Sequence, residues 1–188
     1  MTLGAEFARV LVDSYSLPCD GDGRTPIDGD ALGLVEGQPL FEVAGYATSF
    51  RLAARQAGYI EVYQSQSNDA AKTGADLFDI RGRVRSISVV HYTYDATGDH
   101  PAAIGTTSDA TTINLVVGLL LDAPVGQRTR PVQGSPYRLT FTLDDGSTIE
   151  RDYVPSTGAV IQSDSQEIRV PSTFREALES AVGATLAD

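Results

Sequence analysis

A chain of 188 residues with 25 acidic and 14 basic side chains carries a formal charge of −11. Such a surface repels nucleic acid and anionic membrane, which argues against both as partners, and it is compatible with cations or basic partners. At 41% hydrophobic and 21% charged residues, the composition is that of globular protein, enough for one good-sized domain or two small ones.

Cys19 is the only cysteine, so no intramolecular disulfide and no multi-cysteine zinc site can form. No apolar run is long enough to cross a membrane, and no membrane insertion is expected. Glu6 and Arg9 interrupt the apolar residues of 1–12, which does not fit a signal peptide. Either the protein is cytoplasmic or a targeting segment was trimmed away.

Taken in order, Phe7–Leu17 alternates loosely and reads as a strand. Cys19–Gly37 is a loop rich in Gly, Asp and Pro. Leu40–Tyr46 and Ala47–Ala54 read as one bent strand or two short ones, with Gly45 a candidate bulge; Arg51–Arg55 could instead be one helical turn. Gly58–Ser65 is a strand. Ser67–Gly74 is a polar connection, and Ala75–Ile80 reads as a helical turn.

Arg83–Asp95 is the longest strand candidate. It carries apolar residues on both faces, as expected for a strand inside a sheet. Ala96–Thr107 reads as a loop, with turn signals at Gly98 and Pro101. Ser108–Leu121 fits helical spacing through Ile113, Val116, Val117 and Leu120, with Ser108 or Asp109 as N-cap. Its β-branched residues favour a strand, but its length and flanks favour a helix, one apolar nearly all round and therefore deeply buried.

Val125–Ser135 reads as a loop. Pro136–Pro155 then carries the clearest signal in the chain. Tyr137, Leu139, Phe141 and Leu143 alternate with Arg138, Thr140 and Thr142, which puts one set on one face of a strand. A two-residue Asp145-Gly146 turn would mix the faces. A three-residue loop with Gly146 left-handed pairs Phe141 with Ile149 and Tyr137 with Tyr153, and register follows the buried face. Leu139 then faces Arg151, which places that end of the face at the rim. Ala159–Ser163 and Glu167–Val170 read as two further strands. Phe174, Ala177, Leu178, Ala181 and Val182 mark a helix, with a Thr173/Glu176 capping box and Gly183 at its end.

These elements predict an α+β protein: mostly antiparallel sheet, with two helices in the C-terminal half. The organisation is a β-rich region 1–82 followed by an α+β region 83–188, or one merged domain 1–188.

Two constellations could bind metals. Asp20, Asp22, Asp28 and Asp30 alternate in an acidic loop, and calcium needs several oxygen ligands on such a turn. The calcium-loop match breaks at Arg24, Thr25 and Ala31, and the same residues serve equally as a solvated turn. His91, Asp95 and His100 sit at a strand end and in the segment after it, where they could converge on a transition metal, or each could be solvated separately. No nucleophile elbow, phosphate loop or other catalytic pattern is present, so no catalytic residue and no cofactor beyond weak calcium is expected. Arg51, Arg55, Arg81, Arg83 and Arg85 could recognise an anion, but arginines so placed more often balance nearby acids.

Asp145-Gly146-Ser147-Thr148, Tyr153, Gly158 and Val170-Pro171-Ser172-Thr173-Phe174 resemble small extracytoplasmic lipoprotein-type domains of Gram-positive and related bacteria, families largely of unknown function. The resemblance covers the chain from residue 83 onward. It implies an envelope location and no catalytic residue. The functional expectation is a non-enzymatic binding or structural module with an unidentified protein or small-molecule ligand. A metal-dependent or Ser/His hydrolase and a calcium-binding domain are the competing classes.

Overall fold

The computed structural model describes residues 2–13, 30–31, 34–65, 67–95, 98–129, 135–163 and 165–187. The chain divides into two units, Met1–Ser65 and Gln66–Asp188.

In the first unit, β1 (Leu3–Arg9), β2 (Val12–Asp13), β3 (Asp30–Ala31), β4 (Pro39–Val43), β5 (Arg51–Gln56) and β6 (Tyr59–Gln64) follow in order. Strands β1, β4, β5 and β6 form an antiparallel sheet in that spatial order, and β2 pairs in parallel with β3. Val10, Leu34, Leu40 and Ala54 cluster with Leu52 and Tyr63 packed against them. Arg51–Arg55 is strand, because its backbone pairs residue for residue with β6. Gly45 closes a turn, with the Tyr46 N–H donating to the Val43 carbonyl at 3.0 Å, so it is no bulge.

The second unit contains β7 (Val84–Asp95), β8 (Gly98–Thr107), α1 (Ala110–Asp122), β9 (Val125–Gln127), β10 (Tyr137–Leu143), β11 (Thr148–Val154), β12 (Ala159–Ile161), β13 (Gln166–Arg169) and α2 (Ser172–Val182). Its seven-stranded sheet has the order β8-β7-β10-β11-β12-β13-β9. Every neighbouring pair in it is antiparallel. The fold class is therefore α+β, with the helices in the C-terminal half. A short 3₁₀ turn at Gly74–Asp76 ties the start of this unit to α1: the Gly74 N–H donates to the Ala123 carbonyl at 2.9 Å. No side chain fits at Gly74, because a Cβ there would overlap the Leu120 carbonyl oxygen.

The hairpin β10–β11 has the register that its buried face dictates. Phe141 faces Ile149 and Tyr137 faces Tyr153. Gly146 sits at φ 85°, and the Leu143 N–H donates to the Ser147 carbonyl at 2.8 Å across the loop Asp144–Gly146. Leu139, Phe141, Leu143, Ile149 and Tyr153 are buried, each such Leu or Phe contributing about 1.5–3 kcal/mol on burial. α2 covers this face with Phe174, whose ring meets Tyr153 edge-on at 5.3 Å, and α1 packs against α2 and β7.

Several expectations need correction. The Leu139–Arg151 pair does not lie at a rim. Leu139 is fully buried, and the Arg151 guanidinium packs over the Phe78 ring, 5.2 Å from its centroid, so the long stem crosses apolar ground. Residues 98–107 are strand β8, although they read as a loop. β8 is an edge strand, so Pro101 can sit where no ladder donor is needed, and alternation is weak. Val125–Gln127, read as loop, is the short edge strand β9. α1 is capped by Asp109 as expected, its Oδ1 accepting from the Thr112 N–H at 2.8 Å. It is not buried all round: Leu115 is 54% exposed, because a helix on one face of a sheet turns its other side outward. α2 starts at Ser172 behind Pro171 with no side-chain cap, which places Thr173 inside the first turn and removes the capping box. Gly183 ends α2 at φ 67°, its N–H donating to the Glu179 carbonyl at 2.9 Å.

Candidate functional site

The alternation that buries Leu139 and Phe141 places Arg138, Thr140 and Thr142 on the opposite face of the sheet. Arg138 lies directly opposite Asp152. Its Nε donates to Asp152 Oδ1 at 3.0 Å, Glu150 Oε2 lies 4.0 Å from its Nη1, and its guanidinium stacks 4.7 Å from the Tyr92 ring centroid. The group is thus held between an aromatic face and two carboxylates. The hydrogen bond to Asp152 raises its pKa further above the ordinary arginine value, against a smaller opposing effect of burial.

Beside this pair lies an open, mostly polar cleft of about 670 Å³. Its walls include Arg138, Glu150, Asp152, Ile161 and Ser163. Arg151 and Gln162 close one side, with Arg151 Nε donating to Gln162 Oε1 at 2.8 Å and Nη1 to the Glu150 carbonyl at 2.6 Å. Two guanidiniums and two carboxylates line the cleft, so its formal charges cancel.

Ser163 and Ser165, which also line the cleft, belong to a hydrogen-bonded turn. Ser163 Oγ accepts from the Gln166 N–H at 3.2 Å and from the Ser165 N–H at 3.3 Å. Gln166 is buried and clamps the backbone of Asn68, accepting from its N–H at 3.0 Å and donating to its carbonyl at 2.8 Å. That two-point grip holds the chain next to Ser67, which also lines the cleft.

The residues singled out by sequence are distributed elsewhere. His91 and Thr93 share a face of β7, and His100 on β8 lies opposite Thr93, so register places both histidines on one face. The His91 ring stacks on Tyr137 with centroids 4.4 Å apart, while His100 is exposed. Asp95 pairs with Gly98 at the end of the hairpin, and its side chain lies outside those described. Among the described residues no group of three His, Cys, Asp or Glu side chains is placed to hold a metal ion. Asp20, Asp22 and Asp28 lie outside the described residues. Asp30 lies in β3, with its side chain likewise outside them.

Of the arginines, Arg81 and Arg83 meet acids as expected, whereas Arg51 and Arg55 lie over aromatic rings. Arg51 is 2% exposed between the Tyr46 and Phe50 rings, 5.0 Å from each centroid, and Arg55 lies over Phe41 at 5.4 Å. Arg81 bonds Asp122 at 2.7 Å, and Arg83 lies 3.9 Å from Asp79.

Sequence reading missed the cleft, although half of it was derivable. Once Phe141 is set opposite Ile149, Arg138 must face Asp152. The other half depends on where β12 stops, and periodicity does not reveal that. No family model, curated protein or solved structure matches the chain.

Proposed function

We propose that the protein is a non-enzymatic binding module and that the cleft beside Arg138 is its recognition site. The observation that carries this reading is the preorganised charge pair in an open polar cavity. Arg138 is held by its hydrogen bond to Asp152 and its stack on Tyr92, so a ligand meets a rigid array of donors and acceptors and little side-chain entropy is lost on binding. Arg151 and Gln162 are likewise tied to each other. The balanced lining favours a polar ligand that offers both donors and acceptors over a simple anion.

The test is a ligand screen followed by amide chemical shifts, with pools of short peptides, saccharides and small carboxylates. The reading expects at least one pool to shift the amides of Arg138, Glu150, Asp152 and Ser163 together. Saturating pools that move none of these amides would overturn it.

A further inference from the structure

Strand β11 is paired from Thr148 to Tyr153 on one side and along only part of the other. Every residue from Thr148 to Tyr153 faces a partner in β10. On the opposite side β12 pairs only with Asp152, Tyr153 and Val154, and among the described residues the ladder stops there. The direction of each backbone group follows from the hairpin. The Leu143 N–H donates to the Ser147 carbonyl, so the hydrogen-bonded pairs are 143/147, 141/149, 139/151 and 137/153. Ile149 and Arg151 therefore spend their backbone groups on β10. Thr148, Glu150 and Asp152 point theirs the other way, and only Asp152 of these three meets β12, opposite Ile161.

Among the described residues, Thr148 thus presents an outward N–H and C=O and Glu150 an outward N–H, with its carbonyl taken by Arg151, on a half-edge beside the cleft that β12 leaves unpaired. Continuing the β11–β12 register would set Ser163 opposite Glu150. The chain instead turns away, with the Gln162 and Ser163 N–H groups both donating to the Gln166 carbonyl, at 3.0 and 3.1 Å. The Arg151 Nη1 donates to the Glu150 carbonyl at 2.6 Å, in the direction from which a neighbouring strand's N–H would come.

We infer that this half-edge accepts an extended, basic polypeptide segment, which adds as a short strand against Thr148–Arg151 and continues into the cleft. The inference rests on the cleft being the recognition site. Backbone pairing supplies the affinity, as in other strand-addition complexes. The side chain opposite Glu150 falls on the face that carries Glu150, Asp152 and Arg138. Arg138 is already engaged by Asp152 at 3.0 Å and stands 4.0 Å from Glu150, so a lysine or arginine on the incoming strand is the matching partner for Glu150. The chain's charge of −11 steers a basic segment toward it.

The probe is the capped peptide acetyl-Thr-Lys-Val-Lys-Val-Thr-amide, titrated into the full chain. Two comparison peptides accompany it: one with Glu in place of Lys, and one with backbone N-methyl groups on alternate residues. The inference expects saturable binding of the Lys peptide, shifts at the Thr148 and Glu150 amides, and at least tenfold weaker binding of both comparison peptides. Glu150→Pro should abolish binding, since it removes an outward N–H and leaves the β10 ladder intact. Glu150→Lys, a milder change, should weaken it at least tenfold. Equal binding of the N-methylated peptide, or shifts away from Thr148–Arg151, would overturn strand addition. If a saccharide or carboxylate shifts the cleft amides and the Lys peptide does not, strand addition falls and the cleft remains the recognition site. If nothing shifts them, both fall.

Discussion

The His91 ring lies flat against the Tyr137 ring, centroids 4.4 Å apart and planes 16° apart, and the Tyr137 hydroxyl accepts a hydrogen bond from the Ala187 N–H at 2.8 Å. One buried tyrosine thus joins the end of β7 to the segment that follows α2. That segment is held a second way. Glu179 Oε1 accepts from both the Arg175 Nε and the Leu186 N–H, and Leu186 is fully buried. Tyr137→Phe should keep the stack and lose the bond, costing about 1 kcal/mol in a urea titration. Tyr137→Ala should cost about 3–5 kcal/mol. Equal losses from the two variants would show that the stack contributes nothing.

Gly74 carries a packing constraint independent of its backbone angles. Its position against the Leu120 carbonyl leaves no room for a methyl group. Gly74→Ala should cost about 1–3 kcal/mol as the 3₁₀ turn is pushed off α1. A thermal melt unchanged by this substitution would contradict the described contact.

The two sides of α1 should respond oppositely to mutation. Leu120 is fully buried and Leu115 is 54% exposed. Leu120→Ala should cost about 2–5 kcal/mol, and Leu115→Gln should stay within about 0.5 kcal/mol of the parent. Reversed magnitudes would mean that the helix is rotated from the orientation described.

Two exposed aspartates set an acid limb of stability. The Asp109 carboxyl is held below the usual range by hydrogen bonds from the Thr112 N–H and hydroxyl, and Asp76 by the Lys72 and Thr73 N–H groups. Both shifts are downward on folding, so their stabilisation is present above the unfolded aspartate value of about 3.9 and is lost as pH falls through the folded values. Asp109→Asn and Asp76→Asn keep an acceptor and remove the charge. The double variant should show a shallower fall in melting temperature between about pH 4 and pH 2 than the parent. Parallel curves would contradict the assignment.

The sequence was most legible where local chemistry and burial agree. Tyr137, Leu139, Phe141 and Leu143 share a face, Gly146 permits the loop, and the register follows without reference to the rest of the chain. Asp109 announced α1 for the same reason: a cap followed by an apolar period. β8 was illegible because an edge strand needs neither strict alternation nor a full set of donors, so Pro101 and Gly105 read as loop. Thr173 and Glu176 match a capping pattern, yet the helix starts at Ser172 with Pro171 as its N-cap, two residues too early for it. The candidate site divided along the same line. Arg138 facing Asp152 follows from the hairpin alone. The open edge at Glu150 follows from the early end of β12, a tertiary event that pairing shows and periodicity does not.

The backbone of Glu150 decides whether the half-edge of β11 is open. Amide hydrogen exchange followed by two-dimensional NMR separates adjacent residues of one strand. The Ile149 and Arg151 N–H groups are directed at β10 and should be strongly protected, while the Glu150 and Thr148 N–H groups, facing the open half-edge, should exchange at least about a hundredfold faster. Protection at Glu150 equal to that of Ile149 and Arg151 would mean that the edge is already filled, and would contradict the recognition site proposed there.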